Sequence, residues 1–123
     1  MSSTNKNKLV SATYLEDVKC ELRLAPSPKD ELRQPMVGWI SEKLLDRLRH
    51  LAWAYELPLL GRLPTNGSTT YPEVQLAPIE EELAFLFEVV SDNALLEALT
   101  PLREMIKTAE HDSRGWSLIV ETN

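Results

Sequence analysis

Three groups of side chains carry residue types from which chemistry is built. Glu80, Glu81 and Glu82 stand in a row. A carboxylate among them would serve acid–base work only if burial raised its pKa. Glu110-His111-Asp112 is the densest run of metal-ligating types. It is contiguous, and adjacent residues on a helix do not converge on one point, so it reads as a solvated helix end and no metal is expected. Cys20 is the single cysteine, and His50 and His111 are the two histidines. Nucleophilic catalysis needs a base in reach and a group that orients it. Cys20 falls on the apolar side of an alternating stretch, so it reads as a packed thiol. No glycine-rich loop precedes a helix, which removes the usual phosphate cradle. No catalytic residue and no cofactor is expected, and the chain is expected not to be an enzyme.

These groups must be positioned by the elements around them. The clearest of those is Ser41–Glu56, SEKLLDRLRHLAWAYE. Leu44, Leu48, Leu51 and Tyr55 recur at steps of four, three and four, and Leu45 and Ala52 widen the stripe. This is a helix with one face turned to a core. Ser41 caps its start and Pro58 follows its end. Lys43, Arg47 and His50 form a basic stripe that meets solvent, an acidic partner or the acidic half of this chain. Asp46 can pair with Arg49 or His50. Trp53 lies off the main stripe, either filling the side of the core or anchoring an interface.

Upstream, residues 1–8 are polar and read as a tail before a single domain at 9–123. From Asp17 to Leu24 polar and apolar residues alternate, with Val18, Cys20, Leu22 and Leu24 on one side. That is a half-buried strand. A helix over 13–25 is the rival, supported by Thr13 and Glu16 at capping-box spacing. The helical stripe strands Cys20 and Leu24, so the strand is preferred. Pro26, Pro28 and Pro35 bracket a charged loop, and Met36 to Ile40 leads into the helix, with Trp39 and Ile40 over its first turn.

Residues 57–78 contain four prolines and two glycines, a long connection of the kind that is often functional or mobile. Asn66-Gly67 marks a tight turn. Leu57, Leu59, Leu60 and Leu63 require the loop to lie on the domain. Residues 73–77 read as a short third strand. Ile79 to Val90 reads as a helix with its glutamates in the first turn. Ile79, Leu83, Leu86, Phe87 and Val90 make one face, while Phe85 and Val89 fall elsewhere. Leu95, Leu99, Leu102, Ile106 and Ala109 share a stripe across Thr100-Pro101, which predicts two short helices or one kinked one. Trp116, Leu118 and Val120 alternate as a strand over 116–121 that pairs with the strand ending at Leu24.

The expected fold is therefore α+β, three to four helices on a small antiparallel sheet, with an all-α bundle as the alternative. Net charge is −6, and it is unevenly spread. Residues 1–62 hold 10 basic and 8 acidic residues, a balance of +2; residues 63–123 hold 3 and 11, a balance of −8. An acidic half repels phosphate backbones, so nucleic acid is not expected as a partner. It favours a basic protein partner by speeding encounter. A lone cysteine suits a reducing compartment. MSSTNKNKLVSATY has no apolar run after its lysines, and no stretch approaches a bilayer span, so cytoplasmic localisation without membrane association is expected.

Together these traits point to a small protein-binding module. Immunity proteins, antitoxins and secretion chaperones share its size and charge, an analogy of gross character alone. Glu80, Glu81, Glu82, Phe85, Tyr71 and Trp53 are the expected partner-facing residues. A homodimer through Phe85 and Val89 is compatible with this. The alternative is a small ligand-binding domain or enzyme, with a pocket between helix 41–56 and loop 57–78.

Overall fold

The computed structural model describes residues 18–26, 35–112 and 115–122. The expected tail at 1–8 lies outside them, as do the side chains of His111 and Asp112. The elements are β1 (Lys19–Ala25), β2 (Met36–Ser41), α1 (Glu42–Ala54), β3 (Ser68–Tyr71), α2 (Leu76–Val89), α3 (Asn93–Asp112) and β4 (Ser117–Glu121). The four strands form one antiparallel sheet in the order β2-β1-β4-β3, so the fold is α+β.

The alternation in β1 is resolved as a strand because both of its sides pair. Cys20, Leu22 and Leu24 are buried, while Glu21 and Arg23 lie on the other side. The expected pairing with the last strand is present, with Leu22 opposite Val120 and Leu24 opposite Leu118. Trp116, Leu118 and Val120 are all buried. Val18 precedes the strand and is exposed, so the inward face begins at Cys20.

Ser41 caps α1 as expected, its hydroxyl accepting from the Leu44 amide at 3.1 Å. Leu44, Leu45, Leu48 and Ala52 are buried beneath the helix. On α3 the whole stripe Leu95, Leu99, Leu102, Ile106 and Ala109 is buried, and the helix runs through Pro101 without a break. Proline lacks only its own amide donor and clashes with the preceding turn, and burial of five apolar side chains on one stripe holds the helix together across it. Asp92 accepts from the Leu95 amide at 3.3 Å near the helix start.

Three local expectations are overturned. Met36–Ser41 is a strand rather than a lead-in, paired along its length with β1, and Trp39 is exposed on it instead of lying over the helix. The strand in the long connection is Ser68–Tyr71, whereas residues 73–75 form a turn of 3₁₀ helix leading into α2. Helix α2 therefore begins at Leu76, and Glu80–Glu82 fall beyond its first turn. The dipole rationale for that glutamate row does not hold, because the effect fades within one turn.

Candidate functional site

Many ties hold the connection between α1 and β3 on the domain, among them bonds from Gly67 to Thr122 and from Thr69 to the Arg62 carbonyl, and five more build the site. It begins with the end of α1, where the Leu57 amide donates to the Ala52 carbonyl at 2.7 Å and the Glu56 amide donates to the Trp53 carbonyl at 3.2 Å. This crossed pair is a Schellman closure, and it places Glu56 in the left-handed region, with φ of 58°. A residue with a Cβ pays roughly 1–2 kcal/mol there. The second tie is Glu82, whose two carboxylate oxygens accept from the amides of Leu59 and Leu60 at 3.1 and 2.9 Å. The third is Tyr71, whose hydroxyl donates to the Leu59 carbonyl at 2.7 Å.

The fourth tie is Arg49, which is almost fully buried on α1 and donates to the Pro64 carbonyl at 3.1 Å while pairing with Asp46. The fifth is Trp53, whose indole N–H donates to the Gly61 carbonyl at 2.8 Å. The Arg49 guanidinium lies 5.5 Å from the centre of the Trp53 ring, and His50 meets the ring edge-on at 5.2 Å. Gly61 fits closely here: a Cβ would stand 3.1 Å from Trp53 Cδ1 and would oblige the indole to shift by a few tenths of an ångström. The loop is thus built onto the core, as its leucines demanded: Leu60 and Leu63 are buried.

A cleft of about 350 Å³ opens between the end of α1 and this loop. It is lined by Ala52, Trp53, Glu56, Leu57, Pro58, Gly61 and Arg62. Trp53 is exposed yet contacted on both sides, by Gly61 on one and by Arg49 and His50 on the other, so it forms an aromatic wall of the cleft. Glu56 and Arg62 bring opposite charges to the same cleft. Arg62 also stacks 5.5 Å over the ring of Tyr71. Tyr71 is itself fully buried, and desolvation pushes its phenol well above the ordinary range, with the nearby Glu82 adding to that and Arg62 opposing it.

On the outer side of α2 lies a second surface. Phe85 meets Tyr55 edge-on at 5.3 Å, and Val89 follows one turn later. Phe85, Tyr55 and Val89 remain 38%, 42% and 44% exposed. Glu81 and Glu88 stand one turn before and after Phe85 on the same face, both exposed, with no ion pair among the described residues. Tyr55 was expected on the buried stripe of α1, but the helix ends there and the ring turns to Phe85 instead.

The six expected partner-facing residues therefore separate. Trp53, Glu81 and Phe85 are exposed. Glu80 is taken by Arg103, which donates from Nε at 3.0 Å and from Nη2 at 2.5 Å. That bond holds the Arg103 guanidinium protonated, raising its pKa, and Arg103 also lies 4.6 Å over Phe87. Glu82 is taken by the loop amides, and Tyr71 is buried beneath the loop. These three carry internal structure in place of a partner surface. Glu56, Arg62 and Glu88 were missed; the departure of Glu56 from helical backbone leaves no trace in periodicity, since left-handed closures usually carry glycine.

Among the described residues no cluster of three metal-ligating side chains occurs, and no helix is long and apolar enough to cross a membrane. Cys20 is fully buried. The basic stripe of α1 meets the acidic half of the chain through an ion pair between Arg47 and Asp92. Comparison with known proteins returns no matching family model, no matching curated protein and no matching solved structure.

Proposed function

We propose that this chain is a small protein-binding module of the cytoplasm, which recognises a basic partner segment through the outer face of α2. The observation that carries this reading is the Tyr55–Phe85–Val89 patch flanked by Glu81 and Glu88. Apolar side chains exposed together on a helix are expected to be covered by something. Unpaired carboxylates on the same face select a cationic partner and raise its rate of encounter. The fitting ligand is a lysine- or arginine-bearing segment with at least one apolar anchor, on the pattern of a helix laid against a hydrophobic face.

The test is capture from the source lysate by the tagged full chain at low and high salt, followed by titration of the recovered partner. Binding is expected to weaken as salt rises, and to weaken further in the Glu81→Gln, Glu88→Gln double variant. Phe85→Ala is expected to remove most of it. Affinity that is indifferent to both salt and the glutamate changes overturns the reading.

A second reading is favoured by the cleft at Trp53. Its volume falls at the lower end of small-molecule sites, and it lies where the alternative placed a pocket, between helix 41–56 and loop 57–78. Opposite charges from Glu56 and Arg62 suit a zwitterionic or amide-bearing ligand. A ligand that binds only the folded chain raises its melting temperature. A metabolite screen with no shift, or a shift retained in Trp53→Ala, counts against this reading.

A further inference from the structure

We propose that two copies of this chain pair edge to edge along β2, joining their four-stranded sheets into one of eight strands. Strand β2 stands at the end of the sheet, with β1 on one side and no strand on the other among the described residues. Such an edge offers a row of backbone donors and acceptors to any strand that approaches. Soluble proteins usually guard it with charge, proline or a bulge. Met36–Ser41, MVGWIS, has no charged residue and no proline, in a chain of which 26% is charged. Its pairing with β1 runs through six consecutive residue pairs, so no bulge twists it away. Beside that edge Trp39 is 60% exposed and Val37 is 49% exposed.

The charge distribution selects the occupant. With a net charge of −6, two copies repel wherever acidic surfaces meet. The outer face of α2, with Glu81 and Glu88, cannot be shared by two copies without that penalty. Among the described residues of β1 and of the first turn of α1, the charges beside β2 are Lys19, Glu21, Arg23, Glu42 and Lys43, three basic and two acidic, and Arg23 lies 3.7 Å from Glu21. A strongly charged partner finds little to pair with there, whereas a second near-neutral edge meets no repulsion.

The strand is also self-complementary. Residues opposite one another in an antiparallel pair share a face, so a two-fold axis between identical strands must pass midway between one residue and its own copy. Centred on Gly38, the pairing sets Val37 against the partner's Trp39 on the outer face, and Met36 against the partner's Ile40 on the core side. Gly38 puts no side chain on the axis. Two tryptophans, two valines and the paired backbone would bury roughly 800 Å² in all, below the roughly 1,200 Å² of a stable interface, so the dimer is a weak one whose population depends on concentration.

The experiment is sedimentation velocity of the full chain from low micromolar to millimolar concentration, at low and high salt. The expected result is a rise from 14.0 kDa toward twice that mass, undiminished by salt. Trp39→Glu is expected to hold the chain monomeric and Phe85→Glu to leave dimerisation intact, with circular dichroism confirming both folds. If Trp39→Glu does not fold, Trp39→Ser replaces it. Amide exchange adds a readout specific to the edge: alternate β2 amides, those pointing away from β1, gain protection as concentration rises. A wild-type chain that stays monomeric throughout overturns the proposal. So does a dimer that survives Trp39→Glu, one that is lost in Phe85→Glu, or a monomer that instead takes up an extended apolar peptide along β2.

Discussion

Helix α2 carries carboxylates on its flanks and on its outer face, and the two locations use them differently. Glu80 and Glu82 sit beside the buried stripe of Ile79, Leu83 and Leu86. There, partly shielded from water, each finds a partner distant in sequence: Arg103 for Glu80 and the Leu59 and Leu60 amides for Glu82. Glu81 and Glu88 point away from the core and flank Phe85. One position along a helix rotates a side chain by about a quarter turn or more, so consecutive glutamates in one row divide between holding the fold and facing a partner. The acidic half is therefore less acidic as a surface than its composition suggests, since part of its charge is consumed internally.

The comparison breaks most clearly at Glu82. Glu82→Ala leaves two loop amides without their carboxylate, and hydrogen bonds to a charged group contribute about 1.5–3 kcal/mol each when formed. A loss of roughly 3 kcal/mol in urea unfolding is expected. A change below about 0.5 kcal/mol, the range of ordinary surface substitutions, would place Glu82 with the outer-face carboxylates.

Tyr71 sharpens the same side. Tyr71→Phe removes the bond to the Leu59 carbonyl and is expected to cost about 1–1.5 kcal/mol. It should also alter the alkaline limb of stability. The folded phenol has a raised pKa, so the unfolded chain releases its proton first, near pH 10. The contribution is whole below that pH and falls above it, by about 1.4 kcal/mol per pH unit. Chemical denaturation at several alkaline pH values should show a steeper loss in wild type than in Tyr71→Phe; parallel curves would mean that the phenol is not desolvated.

A gain is expected at Glu56. Glycine relieves the left-handed backbone at the end of α1, and after allowance for the added freedom of the unfolded chain Glu56→Gly should stabilise by up to about 1 kcal/mol. Thermal melting decides it. A destabilised variant would show that the Glu56 side chain contributes more than its backbone strain costs.

The smallest effect on stability belongs to the outer face. Glu81→Gln and Glu88→Gln are each expected to shift unfolding by no more than about 0.5 kcal/mol. Read beside Glu82→Ala, that contrast tests whether the two kinds of site differ as the geometry implies.

Periodicity favoured the α+β class and marked β1, β4 and the helices; it placed the whole buried stripe of α3, Leu44, Leu45, Leu48 and Ala52 on α1, and Ile79, Leu83 and Leu86 on α2, while Tyr55 fell outside. Each follows from a rule internal to a short segment: apolar residues recur at the spacing that puts them on one side. MVGWIS lacks polar alternation, so nothing local distinguishes an edge strand from a lead-in; its pairing with β1 decides it. In the long connection only residues 73–77 alternated, and they are not a strand; the loop's order comes from Arg49, Trp53, Tyr71 and Glu82, each bonding a backbone group 8 to 23 residues away. Which of three adjacent glutamates faces outward depends on where α2 begins and what packs against it. Hydrogen bonds and charge pairing act across distances in space that sequence spacing does not encode, so the division between structural and exposed carboxylates belonged to the tertiary structure alone.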